Sequence, residues 1–279
     1  MSSRFCVTPQ TLYIFAEYSS NMILEYKNSP IFYTDVGQGK VVVLLHGFLE
    51  TSSMWNDLVI EIKDNYRIVT IDLLGHGKTG CLGYIHTMEM MADAVVFVLV
   101  HLKIEKSFFI GHSMGGYVAL AIAEIFPEKV DGLCLVNSTP YADSPERQIN
   151  RDRAVKVVKQ SPKNFIRMSI SNLFSSDNRA QFVEETESIM LEAMNLSVQG
   201  IIAALEGMKI RKDRSIVLKE IQAYKIIVLG LKDPVLEFDS LSTQLTGLEV
   251  KIIKLSGGHM SYIENKYEFT YIIKRFIEN

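Results

Sequence analysis

Residues 107–126, S-F-F-I-G-H-S-M-G-G-Y-V-A-L-A-I-A-E-I-F, constrain this chain more than any other stretch. An apolar run, Phe108 to Ile110, meets Gly111-His112-Ser113-Met114-Gly115, and a long helical pattern follows. That reads as strand, sharp turn and helix, with a serine at the turn. So tight a turn strains the serine backbone and needs neighbours two residues away that carry almost no side chain. Gly111 and Gly115 meet that need, and Gly116 lets the helix begin close to the sheet. The arrangement exposes the Ser113 hydroxyl at the positive end of a helix, where a developing oxyanion is stabilised.

Around this elbow, apolar runs alternate with helical patterns. Residues 23–26 and 31–33 are short strand candidates about a turn at Asn28-Ser29-Pro30. Val41–Leu45 and Arg67–Ile71 are continuous runs suited to strands buried on both faces. One helix is expected after Thr51 or Ser52, with Trp55, Leu58 and Ile62 on one side, and another from a Thr87 cap to about His101. Residues 132–136 give the next strand. This β-α-β-α order predicts a mostly parallel central sheet with helices on both faces. Residues 139–214 carry no strand pattern, only helical stretches in which phenylalanine and methionine recur. Flexible methionines suit an adaptable apolar pocket, so this segment is expected to be a helical cap over one. Residues 225–229 and 250–255 resume the sheet, and Phe269, Ile272, Ile273 and Phe276 mark a last amphipathic helix. The predicted organisation is an appendage over 1–21, a core over 22–138, a cap over 139–214 and the rest of the core over 215–279. Met1 and Met22 both offer a start.

Composition narrows the partners. The net charge is −3 with no basic block, which argues against nucleic acid. No apolar run approaches the roughly 20 residues of a membrane span. Cys6, Cys81 and Cys134 are odd in number and lack C-x-x-C spacing, so they read as free thiols in a reducing, cytoplasmic setting. Cys134 sits in a strand pattern and is expected to pack. No His, Cys and carboxylate set has metal spacing, and Gly75-x-Gly77 is no dinucleotide fingerprint. Neither a metal nor a cofactor is expected.

In an open parallel sheet, ligands bind beyond the carboxyl ends of the strands. His46, Ser113, Asp233 and His259 all follow predicted strands, so they should share one sheet edge. The chain order Ser, Asp, His also fits one known triad order. With H-G-F at 46–48, D-L-L-G-H-G-K-T at 72–79, G-H-S-M-G-G at 111–116, G-L-K-D at 230–233 and G-G-H-M at 257–260, the chain resembles the α/β-hydrolase superfamily from about Ile23 onward. The elbow is similar to that of small esterases with a helical cap, and to C–C hydrolase and synthase-like branches.

The resemblance implies Ser113 as nucleophile, His259 as base and then acid, and Asp233 as the group that orients His259. Phe48 and Met114 N–H would form the oxyanion hole. Asp239 is the second choice for the acid. The alternative site after the strand at 132–136 holds Asn137 and Ser138, with no carboxylate. His112 is expected to support the elbow or line the pocket, His46 and His76 to hold loops, and His86 and His101 to be surface or helix residues. The implied activity is hydrolysis of a small-molecule carboxylic ester or thioester through an acyl-enzyme. Phe165 and Phe174 are expected to tune acyl length. Two alternatives stand beside it. One is a C–C hydrolase or lyase on a keto acid, with Arg147, Arg151, Arg153 and Arg167 as candidate anchors. The other is a non-catalytic ligand-binding member of the fold.

Overall fold

The computed structural model describes residues 20–279. Most of the predicted appendage, with Cys6, lies outside the described residues. Among the described residues eight strands form one sheet: β1 (Ser20–Tyr26), β2 (Ser29–Val36), β3 (Val41–Leu45), β4 (Arg67–Ile71), β5 (Ser107–His112), β6 (Val130–Val136), β7 (Tyr224–Gly230) and β8 (Lys251–Leu255). Their spatial order is β1-β2-β4-β3-β5-β6-β7-β8. β2 runs antiparallel to β1 and β4, and every other neighbouring pair is parallel. The first hairpin turns earlier than expected. Lys27 and Asn28 have φ of 50° and 62°, and Ser29 and Pro30 already belong to β2. Two residues with positive φ give the turn whose twist suits the flanking strands, and asparagine tolerates that conformation.

Helices α1 (Asn56–Ile62), α2 (Met88–His101) and α3 (Met114–Ile125) link the first strands. Thr87 caps α2 as expected, accepting a hydrogen bond from Met90 N–H at 3.1 Å. Between β6 and β7 the chain runs through α4 (Pro145–Gln160), α5 (Pro162–Ser171), α6 (Val183–Ala193), α7 (Val198–Lys209) and α8 (Ser215–Glu220). The end is built from α9 (Phe238–Gln244), α10 (Ser261–Glu264) and α11 (Lys266–Ile277).

Alternate strand residues feed two separate cores. Val43, Leu45, Phe109, Leu133 and Leu135 pack with α2 and α3 on one face. Val42, Leu44, Ile110, Cys134 and Val136 pack with Trp55, α1 and α11 on the other. Cys134 is therefore a packing residue, and burial pushes its thiol pKa well up. Fully burying one such aliphatic side chain contributes about 1.5–3 kcal/mol. No single helix among the described residues is long and apolar enough to cross a membrane.

The helical insertion is tied to the core at several points. Its ends meet where Arg214 N–H donates to Pro140 C=O at 2.7 Å. The buried Arg214 guanidinium pairs with Glu89 of α2 at 2.6 Å and Glu124 of α3 at 2.9 Å. Glu192 of α6 accepts from Ser53 Oγ at 2.6 Å and Thr51 Oγ1 at 2.9 Å. α7 approaches so closely that a Cβ at Gly207 would collide with the His86 carbonyl. His86 is consequently fully buried, not a surface residue. Its Nε2 accepts from Leu82 N–H at 3.0 Å, and its Nδ1–H donates to Leu74 C=O at 3.1 Å. His101, the last residue of α2, is exposed as expected.

Candidate active site

The elbow has the strain its sequence predicts. Ser113 has φ 49° and ψ −112°, a conformation that costs a non-glycine residue about 1–3 kcal/mol. A Cβ at Gly111 would strike the backbone of Gly115, and one at Gly115 the carbonyl of Leu45. Ser113 N–H donates to Val136 C=O at 2.9 Å, and Ser138 Oγ donates to Ser113 C=O at 2.8 Å. The turn is thus pinned to the end of β6. The Ser113 hydroxyl makes no capping bond to α3. It lines a cavity of about 960 Å³ between the sheet edge and the helical insertion.

His259 lines the same cavity. Its Nδ1 lies 2.8 Å from Asp233 Oδ2. A carboxylate only accepts, so Nδ1 carries the proton and Nε2 is the ring nitrogen left for the cavity side. Asp233 follows β7 and is buried. It accepts four hydrogen bonds: His259 Nδ1–H and Asn137 Nδ2–H (2.9 Å) on Oδ2, and Val235 N–H (2.7 Å) and Leu236 N–H (2.9 Å) on Oδ1. Burial alone would raise its pKa. The His259 ring and these donors outweigh burial and hold it below the usual carboxylate value. Asn137 also donates to Gly258 C=O at 3.1 Å and so joins β6, β7 and the His259 loop. Asp239, the second candidate, is exposed in α9 and is not among the cavity residues.

The other wall begins at His46-Gly47-Phe48, just beyond β3. His46 Nδ1–H donates to Gly47 C=O at 2.7 Å, and its Nε2 accepts from Leu73 N–H at 2.9 Å. It clamps two loops, as expected. His76 donates from Nδ1 to Leu74 C=O at 3.2 Å, and burial drives its pKa down to about 3. Phe48 and Met114 N–H have no acceptor among the described residues.

Glu50 is the residue sequence reasoning missed. It is 3% exposed, yet it accepts Gly47 N–H and His112 Nδ1–H on Oε2, each at 2.7 Å, and Tyr262 O–H on Oε1 at 3.0 Å. His112 Nε2–H donates to the carbonyl of His259 at 2.9 Å. With Glu50 as a carboxylate, both partners of His112 are acceptors and the ring is an imidazolium. Burial opposes both charges. Their mutual attraction and hydrogen bonds outweigh it, raising the His112 pKa and lowering that of Glu50. The pair links the Phe48 loop to the His259 loop beneath the cavity.

Breaking such a buried pair is expected to be expensive. Glu50→Ala should lower unfolding free energy by about 3–5 kcal/mol. The His112 share is fully present below its ordinary value of 6.5 and is lost as pH rises through its raised native value. The Glu50 share is present above its ordinary 4.5 and is lost as pH falls through its lowered native value. Urea unfolding should therefore show the widest gap between the two proteins at pH 4.5–6.5, narrowing on either side. A gap that ignores pH would dismiss the ion pair.

From the insertion, Phe165 reaches the cavity and lies edge-on to Phe48, with ring centroids 6.3 Å apart. Phe174 does not. It is fully buried and stacked on Phe182. Arg147 and Arg151 line the cavity, while Arg153 and Arg167 are exposed elsewhere. Among the described residues no group of three or more His, Cys, Asp or Glu side chains is placed to hold a metal ion.

Comparison with known proteins agrees with this architecture. Residues 40–178 match the family model described as alpha/beta hydrolase fold. The chain is 24% identical over 262 residues to a pimeloyl-[acyl-carrier protein] methyl ester esterase of Wigglesworthia glossinidia brevipalpis, covering 89% of this chain and 98% of that one. It is similar to the structure of a thermophilic esterase of Thermogutta terrifontis with malate bound, at 26% identity and TM-score 0.83, over 92% of this chain and 97% of that one. An enol-lactonase of Burkholderia xenovorans superposes with TM-score 0.83 at 19% identity, over 92% of this chain and all of that one. With its mostly parallel sheet, serine elbow and helical insertion, the chain belongs to the α/β-hydrolase superfamily.

Proposed function

We propose that this chain is a serine hydrolase that cleaves a carboxylic ester or thioester of small to medium acyl length through an acyl-enzyme. The observation that carries the reading is one cavity lined by a strained serine at a helix N-terminus and by a histidine whose Nδ1–H is held by a buried carboxylate. Esterase relatives of nearly the same length support it.

Ser113 Oγ attacks the acyl carbonyl while His259 Nε2 takes its proton. Asp233 holds the tautomer and stabilises the imidazolium. The tetrahedral oxyanion is received by Phe48 and Met114 N–H, each such donor being worth about 3–4 kcal/mol. Collapse breaks the ester C–O or thioester C–S bond, and His259 returns the proton to the leaving group. Water then enters, gives a proton to His259 and releases the acid. The helices of the insertion act as the cap that sets substrate size. The free thiols of Cys81 and Cys134 suit a cytoplasmic location.

Treatment with a fluorophosphonate tests the nucleophile. The intact protein should gain one phosphonyl group, on Ser113, and a p-nitrophenyl ester should show a burst where deacylation limits. An unlabelled Ser113 in folded protein sinks the hydrolase reading. Turnover of a keto acid without a trapped acyl group would favour the C–C hydrolase or lyase alternative. Ligand binding with at most very slow turnover would favour a receptor.

Cap control of substrate size has its own test. Phe165→Ala should move the acyl-length preference toward longer chains, changing the ratio of kcat/KM for octanoate over acetate esters by roughly 10-fold or more. Phe174→Ala should instead cost about 3–5 kcal/mol of stability, since it removes a packed ring that does not line the cavity. A uniform loss over all chain lengths in Phe165→Ala would mark that ring as packing too.

A further inference from the structure

The hydrolase reading leaves part of the cavity wall unused. Arg147 and Arg151, both on α4, line the same cavity as Ser113 and His259. Together with Arg211 they surround one carboxylate, Asp143, whose side chain is wholly buried. Arg211 Nη1 lies 2.5 Å from Oδ1, Arg151 Nε 3.0 Å from Oδ2, and Arg147 Nε only 3.8 Å from Oδ1. Three guanidinium ions thus share one negative charge.

The three are not equally satisfied. Arg211 also donates to Tyr141 and Met208 carbonyls and lies over the Tyr117 ring. Beyond Asp143, the Arg147 guanidinium has a 3.3 Å bond from Nη2 to Val235 C=O and no other among the described residues. Arg147 Nη1 and both terminal nitrogens of Arg151 make no hydrogen bond among the described residues. Among the described residues three other carboxylates line the wall; two are already engaged and only Glu146 is not. Glu50 is committed to His112, Gly47 and Tyr262, and Glu237 caps α9 with both oxygens. Glu146, in the first turn of α4, is exposed. Arg179, also on the wall, adds a further cation, its Nε donating to Phe174 C=O at 3.4 Å.

A planar guanidinium with unused N–H groups at a partly desolvated wall matches a carboxylate. We propose that the substrate is an ester bearing a carboxylate away from the scissile bond, and that Arg147 and Arg151 receive it. The apolar wall at Phe48, Phe165 and Leu205 then takes the chain between the two ends. This rests on the hydrolase reading. It leaves the carboxylate on either the acyl or the alcohol part, and matched substrates separate the two.

The test compares two pairs on the purified full chain. One is p-nitrophenyl hydrogen adipate against p-nitrophenyl hexanoate. The other is the acetate ester of ω-hydroxyhexanoic acid against hexyl acetate. In at least one pair the anionic member should have a kcat/KM about tenfold or more above its neutral partner. That advantage should shrink as ionic strength rises from about 0.01 M to about 1 M, which shortens the screening length from about 30 Å to about 3 Å. Arg147→Gln, half-exposed and expected to fold, and Arg151→Gln should each lower the ratio of anionic to neutral kcat/KM by about tenfold. Arg153→Gln, outside the cavity, should leave the ratio as it is. Preference for the neutral member in both pairs, or a ratio that survives both substitutions, overturns the carboxylate assignment and leaves the esterase reading standing. No turnover of any of the four esters, with Ser113 unlabelled by the phosphonate, overturns the hydrolase reading and this one with it.

Discussion

Ser113→Ala, His259→Ala and the double variant are expected to lose turnover to nearly the same extent, each by about a millionfold. In the proposed mechanism the two groups act on one proton. His259 Nε2 has no acid–base task in this site without the Ser113 hydroxyl, and the hydroxyl is a poor nucleophile at neutral pH without the base. Removing the second member of a unit already disabled costs little more. A residual rate, about a thousandfold over water, should persist in all three, because Phe48 and Met114 N–H and the cavity are untouched. Single-turnover measurements on one activated ester would decide the matter. Losses that multiply in the double variant would mean that the two residues act independently. Neither substitution should unfold the chain. Ser113→Ala keeps the backbone N–H that bonds Val136 C=O, and His259→Ala keeps the backbone groups that bond Leu173 and His112.

The readable part of this site is the part written in local sequence. A glycine that must be side-chain-free, a serine between two of them and an apolar run before the turn are each visible within a few residues. That is why β3, β4 and the elbow could be placed from sequence, and why Ser113, Asp233 and His259 were expected at one sheet edge, where the structure brings them together. Glu50 was not, because nothing near it marks it. Its partners, His112 and Tyr262, are 62 and 212 positions away, and only the closed sheet edge brings them together. Asn137 was noticed as the lack of an acid. Its actual position, donating to the acid on the neighbouring strand, follows from β6 lying next to β7, an order that local patterns do not state. His86 was misplaced for a related reason. Its burial comes from α7, more than a hundred residues later. Arg179 and the cavity-facing choice between Arg147 and Arg153 likewise depend on how the insertion folds over the edge. Helical periodicity gives the turn but not the neighbour.

Asp233→Asn is expected to lower kcat by about 10⁴-fold while leaving the fold in place, and the hydrogen-bond pattern around Asp233 says how. Its Oδ1 accepts two backbone N–H groups, from Val235 and Leu236. An asparagine must keep its carbonyl there, since turning the amide over would set NH₂ against both donors. The NH₂ therefore replaces Oδ2 and faces His259 Nδ1 and Asn137 Nδ2. Both are donors in the native protein. His259 can adapt only by moving its proton to Nε2, so that Nδ1 accepts. Nε2 then carries a proton and cannot take one from the Ser113 hydroxyl. Asn137 can adapt by flipping, because its Oδ1 has no hydrogen-bond partner. The flip gives the new NH₂ an acceptor but surrenders the bond to Gly258 C=O. The result should be a folded protein, destabilised by about 1–3 kcal/mol. Its activity should recover partly at high pH, where hydroxide can replace the missing base. NMR of the imidazole nitrogens would report the tautomer directly. A variant that keeps its Nδ1–H signal and near-native kcat would remove Asp233 from the mechanism.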